Sequence, residues 1–405
     1  MTSRACNVCG DAKFDVISKY QFGRWLDETN ENLTRENFSY DILSCKTCSN
    51  CQADVAGGVE FINSLYDGEI GAESWAVGEY DYYAPYKEMV EFCLPYIELA
   101  NTDKIADFGS GNGELLSVLH NDFKVDALSL LGVDFSNNFG DKFQFLEANL
   151  NQTPIFKDDK TVDGFQLGFC CHVLEHLWQP RNILIELREK ANRNGYLYIE
   201  TPDHGILNDD VIKHSNLYNA QHINYFTLKS LKKLAINCGW MVVAEASDIF
   251  GFVPRAKLLL MPNYDNSTPV KLENDHGGVE NIINALKCYD KVFKLAAEKI
   301  LDQAKEKNVL IWGVGGDLMK MFALNEGLNA TLLAGKIQLF DSGLKNKKFN
   351  GITIEDTNKI LSISTGNENC VLVISPRPER TRNKIIEAAL NMGVLKENMV
   401  EIYVK

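Results

Sequence analysis

The stretch Lys104-Ile-Ala-Asp107-Phe-Gly109-Ser110-Gly111-Asn-Gly113-Glu-Leu-Leu constrains this chain more than any other. A short apolar strand runs directly into three glycines at alternate positions, and an apolar helix follows at once. Glycine tolerates a tight turn and lets a ligand approach the backbone, while the amide-rich helix start favours an anionic group. Strand, glycine turn and helix make the first unit of a doubly wound parallel sheet.

Two acids narrow the ligand. Asp107 closes the strand at the place where enzymes that use S-adenosylmethionine (SAM) carry an acid facing the methionine ammonium. Asp134 closes the next strand, Leu-Leu-Gly-Val-Asp, where a carboxylate accepts hydrogen bonds from ribose hydroxyls. The expected SAM contacts are Asp107, Gly109, Ser110, Gly111, Gly113, Asp134 and Phe135. Asn149 is expected at the adenine, where its amide pairs with ring nitrogens. Cys171 and His172 follow the fourth strand, where the cleft opens beside the sulfonium. His172 and His176 are four apart and are expected on one helix face.

Apolar strands and periodic helices alternate from about residue 86. Expected strands are 104–108, 129–133, 164–169, 196–200, 241–246 and 256–261, the last two forming an antiparallel hairpin at one sheet edge. The polar stretch 263–278 reads as a linker. A second α/β unit follows, with the strand Asn308 to Trp312 leading into Gly313-Val-Gly315-Gly316 and the strand Ile337 to Phe340 ending at Asp341. The divisions are therefore 1–60, 61–262, 263–278 and 279–405.

A net charge of -14 over 405 residues repels phosphate backbones and anionic lipid, which argues against nucleic-acid and membrane partners. No stretch approaches the roughly 18 apolar residues of a membrane span, and Met1-Thr-Ser-Arg-Ala-Cys lacks the core of a secretory signal, so a cytoplasmic protein is expected. The chain has 11 cysteines, an odd number for a disulfide framework.

Cys6 with Cys9 and Cys45 with Cys48 form two CxxC knuckles in the first segment, which otherwise shows little periodic structure. Two knuckles close a tetrahedral zinc site with no open position, a structural arrangement. Cys48 and Cys51 also make a CxxC that could serve as the second knuckle; the pair Cys45 and Cys48 is preferred.

In this order, a two-knuckle zinc module, a SAM domain and a C-terminal α/β domain, the chain resembles the sugar C-methyltransferases that act on nucleotide-linked keto-hexoses. The resemblance spans nearly the whole length. Its second knuckle, Cys45-Lys-Thr-Cys48-Ser-Asn-Cys-Gln52, matches the family's CxxC followed by Gln, and Glu79-Tyr80-Asp-Tyr82-Tyr83 is similar to its tyrosine-rich segment. The family's Tyr-His-Glu-His run with a following Tyr-Phe stands here as Tyr218-Asn-Ala220-Gln221-His222-Ile-Asn-Tyr225-Phe226, without the His-Glu pair. Its Asn-x-x-x-His becomes His172-Val-Leu-Glu-His176.

The resemblance implies a class I SAM-methyltransferase sheet with an N-terminal zinc module and a C-terminal Rossmann-like domain. It implies SAM and Zn2+ as cofactors and a nucleotide-linked sugar as substrate. A carbon beside a ketone becomes nucleophilic only after losing a proton, so a base and an oxyanion donor are required. His222 is the expected base, with Tyr80, Tyr82 and His176 as donors. An O-methyltransferase that activates a hydroxyl through His222 is the alternative, and a non-catalytic zinc-ribbon adaptor that binds SAM is the alternative from another class. A nicotinamide-dependent sugar oxidoreductase would instead use the C-terminal glycine turn, and Arg377 and Arg380 are candidates for meeting a diphosphate.

Overall fold

The computed structural model describes residues 4–22, 38–64, 84–157, 159–214, 217–251, 253–264, 274–365, 369–377 and 379–403. Three sheets organise them.

The first begins with strands β1 (Phe14–Phe22), β2 (Phe38–Cys45) and β3 (Cys51–Asp54), followed by helix α1 (Gly58–Ser64). The alternation in Phe14-Asp-Val-Ile-Ser-Lys-Tyr marks β1, so the expectation of little periodic structure in this segment was wrong. The period of two is broken by a register shift between Val16 and Ser18, which leaves Val16 exposed while Tyr20 enters the core.

Helix α2 (Ala84–Cys93) precedes the central sheet, which the chain enters at β4 (Ile105–Phe108). Helix α3 (Glu114–Asn121) leads to β5 (Leu130–Asp134), β6 (Gln144–Glu147) and β7 (Phe165–Cys171). Helix α4 (Pro180–Lys190) connects to β8 (Ala191–Pro202). Helix α5 (Asp209–His214) and the short strand β9 (Asn224–Tyr225) precede helix α6 (Leu228–Asn237), β10 (Trp240–Phe250) and β11 (Val253–Pro262). The order is β10-β11-β8-β7-β4-β5-β6. Neighbours are parallel from β8 through β6, and β11 runs antiparallel to both β8 and β10. This is the expected sheet with its edge hairpin.

Helix α6 shows how local sequence fixes an element. Thr227 accepts the Ser230 N–H while Ser230 Oγ accepts the Thr227 N–H, a reciprocal cap that stops the helix unravelling toward β9. Leu231, Leu234 and Ala235 then fall on its buried face.

Helix α7 (His276–Glu306) begins inside the stretch expected to be a linker, because Asp275 caps it by accepting the Gly278 N–H. Ile282, Leu286, Tyr289, Phe293 and Ile300 make its buried stripe. The third sheet follows: β12 (Asn308–Trp312), helices α8 (Gly316–Leu324) and α9 (Glu326–Leu333), β13 (Ile337–Phe340), β14 (Lys348–Phe349), β15 (Ile352–Glu355), helix α10 (Ile360–Thr365), β16 (Cys370–Ile374), helix α11 (Glu379–Asn391) and β17 (Met399–Glu401). Its order is β14-β15-β13-β12-β16-β17, parallel except for β14.

The N-terminal sheet closes with β9, a strand from the far side of the central region that pairs with β3 through Cys51↔Tyr225 and Gln52↔Asn224. One apolar cluster joins Tyr20, Tyr40 and Ile42 to Tyr218, Ile223 and Tyr225, and on to Tyr289, Phe293 and Val309 of the C-terminal unit. The first segment is thus packed into the rest of the chain. No helix among the described residues is long and apolar enough to cross a membrane.

Candidate functional site

The site lies at the carboxyl ends of β4, β5, β7 and β8. Gly109 adopts φ +88°, and a Cβ there would lie 2.3 Å from Val173 Cγ2, so the turn after β4 rests against the loop after β7. Gly113 caps α3 at φ +75°, and its Cβ would meet Phe139 at 2.9 Å. Neither position admits a side chain.

Asp134 holds the turn from beneath: its carboxylate accepts the N–H of Gly111 at 2.9 Å and of Phe135 at 2.7 Å. Each oxygen retains a second lone pair on which a hydroxyl can donate. Burial pushes the Asp107 carboxyl up to about 8, with the nearby Asp134 charge adding to it. A buried acid held mostly neutral is suited to a cationic partner that restores its charge. Ser110 is buried beside Gly132, Phe135 is largely exposed, and Asn149 accepts the Asn151 N–H at 2.9 Å. Cys171 is half-buried, with its thiol pushed up by burial and by the charges of Glu200 and Asp107.

Beyond Cys171 the chain does not form the expected helix face. His172 has φ +54°, and only a single 3-10 turn, Leu174–His176, follows. The left-handed residue swings its ring between two buried carboxylates, with Nε2 3.0 Å from Glu200 and Nδ1 3.4 Å from Glu175. Burial opposes protonation here, but the two acids prevail and hold His172 up at about 10. Tyr198 donates to the far oxygen of Glu200 at 2.6 Å. Burial works against the Glu175 charge too, and His172 and its neighbours still draw that carboxyl down to about 2.

On the other side of Glu175 stand His176 and His222, their rings 4.7 Å apart and nearly perpendicular. Nδ1 of His222 faces the Leu217 carbonyl at 2.7 Å. Burial, then His176, push His222 down to about 3, so its ring is neutral. The sequence reading named His172, His176 and His222 but missed Glu175, Glu200 and Tyr198. Glu175 stood inside the quoted His-Val-Leu-Glu-His run, between Leu174 and His176. Tyr80 and Tyr82, the other expected catalytic residues, lie outside the described residues.

A polar hub ties this loop to the N-terminal segment. The buried Asn224 amide donates to the carbonyls of Leu174 at 3.0 Å and Leu177 at 2.8 Å. Its oxygen accepts from Arg4 Nη2 at 3.0 Å and Asn7 Nδ2 at 2.6 Å. Arg4 also stacks on Trp178. Gln52, four residues beyond the second knuckle, accepts the Asn7 N–H and donates to the Ala5 carbonyl, bracing the first knuckle.

The four expected zinc ligands converge. Sγ atoms of Cys6 and Cys48, and of Cys9 and Cys45, are each 3.5 Å apart. All four sulfurs lie within 4.8 Å of one another. Zinc–sulfur bonds of about 2.3 Å place tetrahedral sulfurs about 3.7 Å apart, so the donor set fits zinc. Cys51 stays outside this group, its thiol directed to the Ser49 carbonyl.

Residues 79–245 match the family model of a methyltransferase domain. The chain carries a methyltransferase domain over these residues. Its bounds contain the glycine turn, both acids and the histidine cluster. Among solved structures, the methyltransferase domain is similar to the magnesium protoporphyrin IX methyltransferase of Synechocystis PCC 6803, which was solved with bound SAH. That match has 15% identity and a TM-score of 0.34, covering 45% of this chain and 84% of that one. It is also similar to a SAM-dependent methyltransferase of Clostridium acetobutylicum ATCC 824, at 12% identity and a TM-score of 0.33, over 51% and 97% of the two chains. No curated protein matches the sequence.

The C-terminal unit repeats the turn geometry of the methyltransferase domain: the Val314 N–H donates to Asp341 at 2.9 Å, as Gly111 does to Asp134. Here Gly313 is packed, since a Cβ on it would lie 2.8 Å from Pro376 and Ser375 Oγ bonds its carbonyl, while a Cβ on Gly315 or Gly316 would meet nothing within 4 Å. Arg377 is buried, bonded to Tyr289 and paired with Asp317, so it does not face a diphosphate. The Arg380 side chain lies outside the described residues.

Proposed function

We propose that the protein transfers the methyl group of SAM to a nucleotide-linked sugar, at a carbon beside a ketone, with His222 as the proton acceptor. In this reading the base takes the proton, the resulting enolate carbon attacks the methyl group, and the carbon–sulfur bond breaks to leave a neutral thioether. The cluster of Glu175, His176 and His222 beside the SAM turn is the observation that carries the reading. It supplies an imidazole with Nδ1 turned to the Leu217 carbonyl, beside the Glu175 carboxylate. Glu175 offers the carboxylate that Gln221 lacks. Zinc at Cys6, Cys9, Cys45 and Cys48 would be structural, holding the segment that Arg4 and Asn7 anchor to the loop.

A net charge of -14 favours a small acceptor over a polyanion. The test is incubation of the zinc-loaded protein with labelled SAM and a panel of nucleotide-linked sugars, with the methyl group located by NMR. A carbon-bound methyl supports the proposal, an oxygen-bound methyl replaces it with hydroxyl activation, and no transfer to any sugar refutes it. His222→Ala is expected to abolish turnover while leaving SAM affinity nearly unchanged.

A further inference from the structure

We propose that Glu175, His176 and His222 bind a divalent transition-metal cation. The site stands on geometry and does not depend on the function proposed above.

One ligand atom from each of the three residues lies within 4.8 Å of the other two. Metal bonds of about 2.0–2.2 Å set neighbouring nitrogen and oxygen ligands about 3–3.6 Å apart, so side-chain movements of about 1 Å close the shell. The near-perpendicular rings of His176 and His222 suit two imidazoles radiating from one ion.

The second observation is the carboxylate. Glu175 is 1% exposed, and its carboxylate faces imidazoles, pairing with His172 at 3.4 Å and His176 at 3.8 Å. A buried carboxylate ordinarily accepts several hydrogen bonds or coordinates a metal.

The outer contacts have the form that metal centres use. His222 turns Nδ1 to the Leu217 carbonyl, which fixes the tautomer and leaves Nε2 to ligate. Glu175 is braced through His172 to Glu200, and Glu200 is braced by Tyr198. Two imidazoles and one carboxylate suit borderline divalent ions. A bound cation would engage the His222 lone pair, so the cation and a proton compete for that ring, and proton acceptance by His222 belongs to the cation-free chain.

The experiment is a titration of the full-length, zinc-loaded protein with Mn2+ alone, followed by electron paramagnetic resonance and calorimetry. Manganese favours oxygen and nitrogen donors over thiolates, so the four-cysteine site does not compete. One bound Mn2+ per chain is expected. Glu175→Gln and His222→Ala should each weaken it by more than the about 10–100-fold that loss of an outer partner brings, and Glu200→Gln by that outer-partner amount. The exposed Asp302→Ala should change nothing. Selective Mn2+ broadening of the His176 and His222 ring resonances in the unsubstituted protein gives a readout that needs no variant. Absence of bound Mn2+, or broadening that spares both rings, overturns the inference. Mn2+ bound here without methylation of any sugar refutes the sugar reading and keeps the cation site. Sugar methylation without Mn2+ binding does the reverse.

Discussion

Asp107 leads to a proton-release prediction for SAM binding. The carboxyl is 5% exposed and is raised to about 8 by burial and then by Asp134. At pH 7 about nine-tenths of ligand-free molecules therefore carry a proton there. The ammonium of SAM, placed against Asp107, returns the acid to its ionised form, so binding should release about 0.9 proton per SAM. Paying that deprotonation at pH 7 weakens binding by about 1.4 kcal/mol, and affinity should rise about tenfold from pH 6 to pH 7. Calorimetry at pH 7 in buffers of different ionisation enthalpy measures the release directly. An observed enthalpy independent of buffer, or undiminished release from Asp107→Asn, would refute the reasoning. Stability has a definite sign as well. A carboxyl whose folded pKa lies above its unfolded value favours the fold at low pH, and that contribution is lost as pH rises from about 4 to about 8. The ligand-free protein should lose melting temperature over this window, and Asp107→Asn should flatten the loss.

Gly109→Ala combines a left-handed backbone with a Cβ 2.3 Å from Val173, and is expected to cost about 2–4 kcal/mol in urea unfolding and to impair SAM binding; a fully stable variant with normal affinity would show that the turn is not held against the loop. Cys45→Ser removes one ligand of the knuckle pair, so zinc released to a colorimetric chelator should fall to near zero and the melting temperature should drop. Retention of a full equivalent of zinc would remove Cys45 from the site.

What the sequence reveals and what it hides follow from how far apart the interacting residues are. Asp107, the three glycines and Asp134 belong to one local strand–turn–helix–strand unit, so spacing alone brings them together. The CxxC pairs are legible for a similar reason, since each knuckle is local and only their meeting is long-range. Glu175 and Glu200 could not be paired with His172 in advance: their convergence depends on the left-handed turn at His172, a conformation that a histidine in an apolar run does not announce. Asn224 was unreadable because its partners come from two distant segments, Arg4 and Asn7 near the start of the chain and Leu174 to Leu177 in its middle. Arg377 shows the reverse error, where an arginine read as a candidate for a diphosphate is instead enclosed by Tyr289 and Phe293 from α7.

The contact between Arg4 and Asn224 bridges 220 residues of sequence. At a ribosomal pace of about 5–20 residues per second, the N-terminal end of this link emerges about 10–45 s before its partner exists. During that interval Tyr20, Tyr40 and Ile42 have no β9 and no α7 to cover them. Early metal capture by the knuckles would keep the nascent segment compact while it waits. Loss of zinc during synthesis should therefore reduce the yield of folded protein more than loss of zinc from the finished molecule reduces its lifetime.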